Sequence, residues 1–261
     1  RVVEQGADRI DLEWTGPVSG RRASLRKSFA LSADGAEIAV ALSWRLLDEA
    51  RPEQANLTLR LFHSGRDFHA LQRENGSFSF APTEIPGGLR FGSYEGVPAV
   101  VALTNGAFRA EPVWYLNFLY SEERERGLDH LEDLASPGVY SFDLSRGRAV
   151  LLLTTEEAYA VGLPSLDPES LFDGLEAQES ARRASFPTAR ARSADAFLVR
   201  RGQGLSLIAG YPWFSDWGRD TFIALRGLCL TLGRLEEARR ILVEWSGMVS
   251  EGMLPNRFPD D

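Results

Sequence analysis

The stretch Asn56-Leu57-Thr58-Leu59-Arg60-Leu61-Phe62 sets Leu57, Leu59 and Leu61 on one face and Asn56, Thr58 and Arg60 on the other. Successive side chains of a strand point to opposite faces, so a period of two reads as half-buried β. The same alternation runs through Glu37–Leu46 and, in part, through Ser24–Phe29. Outward from these, strands are expected over Ser77–Phe80, Leu89–Tyr94, Ala99–Thr104 and Ala107–Leu119, with the apolar run Ala149–Thr154 closing a sheet. Turn residues separate them at Ala33-Asp34-Gly35, Glu74-Asn75-Gly76, Pro86-Gly87-Gly88, Thr104-Asn105-Gly106 and Ser145-Arg146-Gly147. Many short strands parted by turns predict an antiparallel β-sandwich. About 150 residues are enough for two packed sheets with a shared core. Ser121–Leu134 breaks the pattern: it is polar, ends at Ser136-Pro137-Gly138, and reads as a loop with a helical turn whose charges face solvent.

The chain changes character near residue 165. Pro164-Ser165-Leu166-Asp167-Pro168 offers a helix start, with Pro168 suited to the first turn. The segment Glu169–Phe186 is rich in Ala, Glu and Arg, and Thr188–Val199 reads as a further helix. Arg201-Gly202-Gln203-Gly204 is a turn, and Leu205–Ala209 a short apolar stretch. Thr221–Leu232 is apolar nearly all round, as an inner helix is, with Asp220 as N-cap and Gly233 as stop. Arg234–Ser250 is amphipathic and ends at Gly252. A buried helix followed by an amphipathic one is the repeat unit of an (α/α) barrel. The expected organisation is mixed: a β-sandwich N-terminal domain over residues 1–163, a helical linker over 164–195, and from 196 to 261 the first helices of a barrel.

Composition narrows the functional classes. The chain has 261 residues, with 29 Lys+Arg against 37 Asp+Glu, a net charge of −8. An acidic balance speaks against a nucleic-acid partner, which is met by a basic face. No apolar run is long enough for a membrane span. One cysteine, Cys229, excludes an intramolecular disulfide, and three histidines leave little for a metal site. His63 and His69 flank a turn with no nucleophile signal and are expected in a surface or capping role, and Cys229 reads as an inert core thiol. Twenty-eight of the basic residues are Arg and one, Lys27, is Lys. The chain starts at Arg1 and stops at Asp261, so it is read as a piece of a longer protein.

The chemistry concentrates in Gly210-Tyr211-Pro212-Trp213-Phe214-Ser215-Asp216-Trp217-Gly218-Arg219-Asp220, which holds four aromatics, two carboxylates and a guanidinium. Aromatic faces stack on the C–H faces of a sugar ring, and Asp and Arg bond its vicinal hydroxyls. The same residues also fit a bland reading: core aromatics, a helix cap and a structural Arg–Asp pair.

Gly210–Leu225 resembles the signature of the glycogen debranching enzyme, or amylo-α-1,6-glucosidase, family. Leu254-Pro255-Asn256-Arg257-Phe258-Pro259-Asp260 resembles that family's next motif. Trp114-Tyr115, Asn117-Phe118, Tyr120, Glu125–Asp129, Glu132-Asp133-Leu134 and Pro137-Gly138 are similar to the N-terminal domain of its bacterial members. The resemblance implies a β-sandwich, a helical linker and a glucoamylase-type six-hairpin (α/α) barrel. It implies hydrolysis of the α-1,6-linked glucosyl stub of branched glucan to free glucose, with inversion. Carried over, Arg219 and Asp220 hold the glucose hydroxyls, Trp213 and Trp217 wall the pocket, and Asp216 is a further contact. Asp220 stays open between a catalytic and a glucose-holding role. Asn256 and Arg257 either reach the pocket or hold their loop. An inverting glycosidase needs two carboxyl groups about 6.5–9.5 Å apart, and the second is expected beyond Asp261, so the 261 residues alone are expected to be inactive. No cofactor is implied, the partner is glycogen or limit dextrin, and the expected compartment is the cytoplasm. Two other readings stay open: a glucoamylase-like exo-α-1,4-glucosidase, and a sandwich that binds glucan or is purely structural.

Overall fold

The computed structural model describes residues 2–5, 10–15, 22–31, 38–46, 55–67, 70–162, 167–201, 204–211 and 214–257. The chain divides into two compact units, Arg1–Ser180 and Ala181–Asp261.

The first unit is built from antiparallel sheets. Its strands are β1 Val2–Gln5, β2 Ile10–Thr15, β3 Arg22–Leu31, β4 Ile38–Leu46, β5 Asn56–Arg60, β6 Thr83–Ile85, β7 Gly88–Phe91, β8 Val100–Thr104, β9 Ala107–Leu119, β10 Leu131–Asp143 and β11 Ala149–Thr155. Eight of them form one sheet in the order β1-β2-β3-β4-β11-β8-β7-β6, and three form a second in the order β5-β10-β9. Leu57 and Leu59 from β5, Tyr140 and Phe142 from β10 and Phe108 from β9 pack against Phe91, Ala102 and Leu151 of the large sheet. That shared core makes the unit sandwich-like.

The other face of the large sheet is also covered. Three helices belong to this region: α1 Ser121–Glu125, α2 Glu156–Gly162 and α3 Pro168–Ala184. Leu171 and Phe172 of α3, with Tyr159 of α2, pack on Val101, Leu103, Val150 and Leu152. Strand β11 therefore alternates between two cores, Leu151 toward one and Val150 and Leu152 toward the other. A strand buried on both faces needs no polar alternation, which is why Ala149–Thr154 reads as a continuous apolar run. Helix α3 starts where Pro168 predicts, and Asp167 Oδ1 accepts from the backbone N–H groups of Glu169 and Ser170 at 3.0 and 3.2 Å.

Three expectations are corrected in this unit. Ser77–Phe80 forms no strand; Phe78 instead packs edge-on against Tyr94 and Trp114. Ser136-Pro137-Gly138 is not a stop but lies within β10, where the pairing with β9 shifts register between Ser136 and Gly138. The bulge takes in Pro137, which cannot donate a ladder hydrogen bond. Nor is the whole acidic run solvated. Glu132 is fully buried and accepts from Arg66, from the Tyr120 hydroxyl and, at 3.0 Å, from the Gln72 amide. Burial alone would push its pKa up; the bonds from Arg66, Tyr120 and Gln72 outweigh that and hold it below the ordinary carboxylate range. Asp133 accepts from the amides of Asn117 at 2.8 Å and Glu74 at 3.0 Å. The two acids thus pin the segment around 65–75 to β10. The turn at Ala33-Asp34-Gly35 lies outside the described residues, as does His69.

The second unit holds α4 Ala189–Asp195, the hairpin β12 Leu198–Arg201 and β13 Gly204–Leu207, α5 Gly218–Leu228, a 3₁₀ turn Leu230–Leu232 and α6 Leu235–Ser246. Its core joins Leu207, Leu225, Cys229, Ala238, Ile241 and Trp245. Thr188 caps α4, its Oγ1 accepting from Ala191 N at 3.1 Å. The helix expected to run to Val199 stops at Asp195, and the apolar residues after it enter β12 and pair with β13. The inner helix is also shorter than expected. It ends at Leu228, tightens into the 3₁₀ turn and stops at Gly233, which has φ +72°. Its burial is one-sided: Thr221 and Leu225 face the core while Ile223 is 74% exposed. The following helix ends at Ser246 rather than near Gly252.

Candidate functional site

The signature segment is held in place mostly by its backbone. Ala209 N–H donates to Ser215 O at 2.9 Å and Phe214 N–H to Gly210 O at 2.9 Å. The Tyr211 hydroxyl donates to Ala196 O at 2.5 Å, although the ring itself is mostly exposed. Pro212 and Trp213 lie outside the described residues, so the expected wall at Trp213 has no position here.

Helix α5 begins directly after Trp217, which occupies the N-cap position without a side-chain cap. Asp220 was expected at that cap and instead stands in the first turn. The reason is a tertiary contact: Gly218 N–H, one of the unpaired donors at a helix start, is taken by Asn256 O at 2.8 Å. Thr221 Oγ1 donates to Leu207 O at 3.1 Å, fastening the helix to β13. Arg219 and Asp220 face outward, with side chains 75% and 42% exposed and Nε 3.9 Å from Oδ2. An acid in the first turn is favoured by the helix dipole.

Asn256 and Arg257 arrive at the same place. Trp217 and Arg257 form an isolated antiparallel bridge beside the Gly218–Asn256 bond. The structure thus brings the motif around Asn256 against Trp217-Gly218-Arg219-Asp220. Gly218 allows that approach, since a Cβ there would stand 3.0 Å from Pro255 O and 3.1 and 3.2 Å from the Trp245 ring. Asp216 goes the other way. It is 3% exposed, and its oxygens sit 3.1 and 3.0 Å from Arg201 Nη1.

Sequence reading missed two contributors, Arg201 as partner of Asp216 and Thr221 as an anchor; neither carries a local signal. Gly218 reads from sequence as a residue that shapes the turn, and the structure adds the close approach of Pro255 and Trp245. Among the described residues no group of three or more His, Cys, Asp and Glu side chains is placed to hold a metal ion. No described helix is long and apolar enough to cross a membrane.

Residues 19–151 match the family model described as the glycogen debranching enzyme N terminal, and residues 192–261 match amylo-alpha-1,6-glucosidase. The chain belongs to the glycogen debranching enzyme family. Within it, the glycogen debranching enzyme of Saccharomyces cerevisiae is 43% identical over 56 residues. That stretch is 20% of this chain and 4% of the yeast enzyme. In this debranching-family chain the N-terminal match ends in β11, and the glucosidase match takes in α4's last residues, the hairpin and the whole signature segment.

Proposed function

We propose that these residues serve an inverting glucosidase that removes α-1,6-linked glucosyl stubs from branched α-glucan as free glucose. The observation that carries the reading is the exposed Arg219–Asp220 pair at the start of α5, beside Trp217 and against the loop of Asn256 and Arg257. In it, Arg219 and Asp220 bond the hydroxyls of the terminal glucose, Trp213 and Trp217 line the pocket, and Asn256 and Arg257 complete its rim. Asp216, buried on Arg201, shapes the turn rather than meeting the sugar. Helices α5 and α6 are the first pair of an (α/α)₆ barrel, after a sandwich domain over 1–163 and a linker over 164–195. The substrate partner is glycogen or its limit dextrin in the cytoplasm, and the acid–base chemistry calls for carboxylates and water without a cofactor.

The test is glucose release by the full-length protein from phosphorylase-limit dextrin and from linear maltooligosaccharide, with Asp220→Asn in parallel. Release from the branched substrate, reduced at least a hundredfold in Asp220→Asn, is the expected result, on the scale of a lost charged contact to the substrate. Release mainly from the linear chain would move the protein to the glucoamylase side. No release from either by a folded protein would overturn the enzymatic reading.

A further inference from the structure

Asp216 immediately precedes Trp217 in the turn that carries the exposed pair, and both of its oxygens are engaged by Arg201 at the end of β12, at 3.1 and 3.0 Å. On the other side of the same turn, Gly218 is bonded to Asn256 and Trp217 is bridged to Arg257. Around Asp216-Trp217-Gly218, the ion pair with Arg201 is a side-chain clamp and the bonds to Asn256 and Arg257 are backbone ones. Taking a carboxylate out of water costs free energy that a paired guanidinium offsets, so removing Arg201 leaves a 3% exposed carboxyl uncompensated and cuts the tie between β12 and the turn.

We propose that Arg201 is a positioning residue of the sugar site, acting through Asp216 to fix the turn that presents Trp217, Arg219 and Asp220 to a terminal glucose. This rests on the glucosidase reading for its substrate, while the clamp itself rests on geometry alone. Sugar-binding groups must be held within a fraction of an ångström, and a displacement of about 1 Å costs on the order of a hundredfold in rate.

The experiment uses the full-length protein with Arg201→Gln, Asp216→Asn, the double variant and Arg201→Lys. The first readout needs no substrate: hydrogen exchange at the amides of Ala209 and Gly218, which donate to Ser215 and Asn256. Exchange there should speed up about tenfold or more in each single variant, while the amides within α6 keep their protection. Unchanged exchange, or a rise spread evenly over α6, would overturn the proposal. The second readout is steady-state hydrolysis of limit dextrin. Each single variant should lose about ten- to a hundredfold in kcat/KM with KM raised, and the double variant should be no worse than the weaker single. Arg201→Lys should recover part of the loss. A fall in kcat at constant KM that tracks the folded fraction would mark a merely structural pair and sink the idea. So would an Asp216→Asn loss far beyond that of Arg201→Gln and additive with it, which would make Asp216 a direct sugar ligand. If the unsubstituted protein releases no glucose, the glucosidase reading falls, and the exchange data alone decide whether Arg201 holds the turn.

Discussion

His63 lies buried between the sheets of the first unit, its ring 5.0 Å from that of Phe91, with its backbone paired to Ala135 in both directions. Burial lowers its pKa from 6.5 to about 4. Between those values the unfolded chain binds a proton that the folded chain refuses, so stability rises with pH across that window and is lost as pH falls through it. The difference between pH 7 and pH 5 should be about 2 kcal/mol, read by urea denaturation. In His63→Leu that dependence should vanish; a slope left unchanged would exclude His63 as its source. Glu132 is the contrasting case, a buried charge kept by Arg66, Tyr120 and Gln72. A sequence window sees Glu132 among acids and arginines and reads a solvated face. The partner that decides otherwise, Arg66, is 66 residues away. Asp216 was ambiguous for the same reason: its residue type suits a sugar, and only the fold reveals that Arg201 faces it.

Elements were most legible where one face is wet. Strands β4 and β5 stand close to the limits read from their alternation, and α3 begins at the proline that invites it. They were least legible where tertiary contacts override local signals. Leu131–Asp143 is a strand despite its acids and its Ser-Pro-Gly, because β5 and β9 pair with it on both sides. At the start of α5, in place of the predicted cap, Gly218 N–H donates to the carbonyl of Asn256 in a loop nearly forty positions later. Two glycines of α5 make that dependence measurable. At Gly227 a Cβ would meet nothing within 4 Å, so Gly227→Ala should stabilise the protein by up to about 1 kcal/mol. At Gly218 the same change meets Pro255 O and the Trp245 ring, and overpacking should cost about 1–3 kcal/mol. Equal effects at the two sites, followed by thermal or urea unfolding, would refute the close approach at Gly218.

Across the whole chain, the family and the broad division into sheets followed by helices were legible from sequence, through alternation on one side and the Trp217–Asp220 motif on the other. The second unit exposes Ile223, Leu235, Val243 and Met253, all more than half exposed. Large apolar side chains this exposed are candidates for cover by a partner surface where they lie together. If α5 and α6 open a barrel that further helices complete, the 261-residue chain should bind the dye ANS more strongly than the full-length protein, by fluorescence titration; equal binding would argue against a barrel closing over these side chains. Strand β11 carries a different consequence. It joins β4 to β8, and with it the ribbon β1-β2-β3-β4 to the ribbon β8-β7-β6. Until Thr155 has left the ribosome, the two ribbons present bare neighbouring edges with no strand to seal them, and such edges pair with other chains. The order of synthesis thus leaves the nascent sheet open to misassembly until its last strand, the keystone β11, is made.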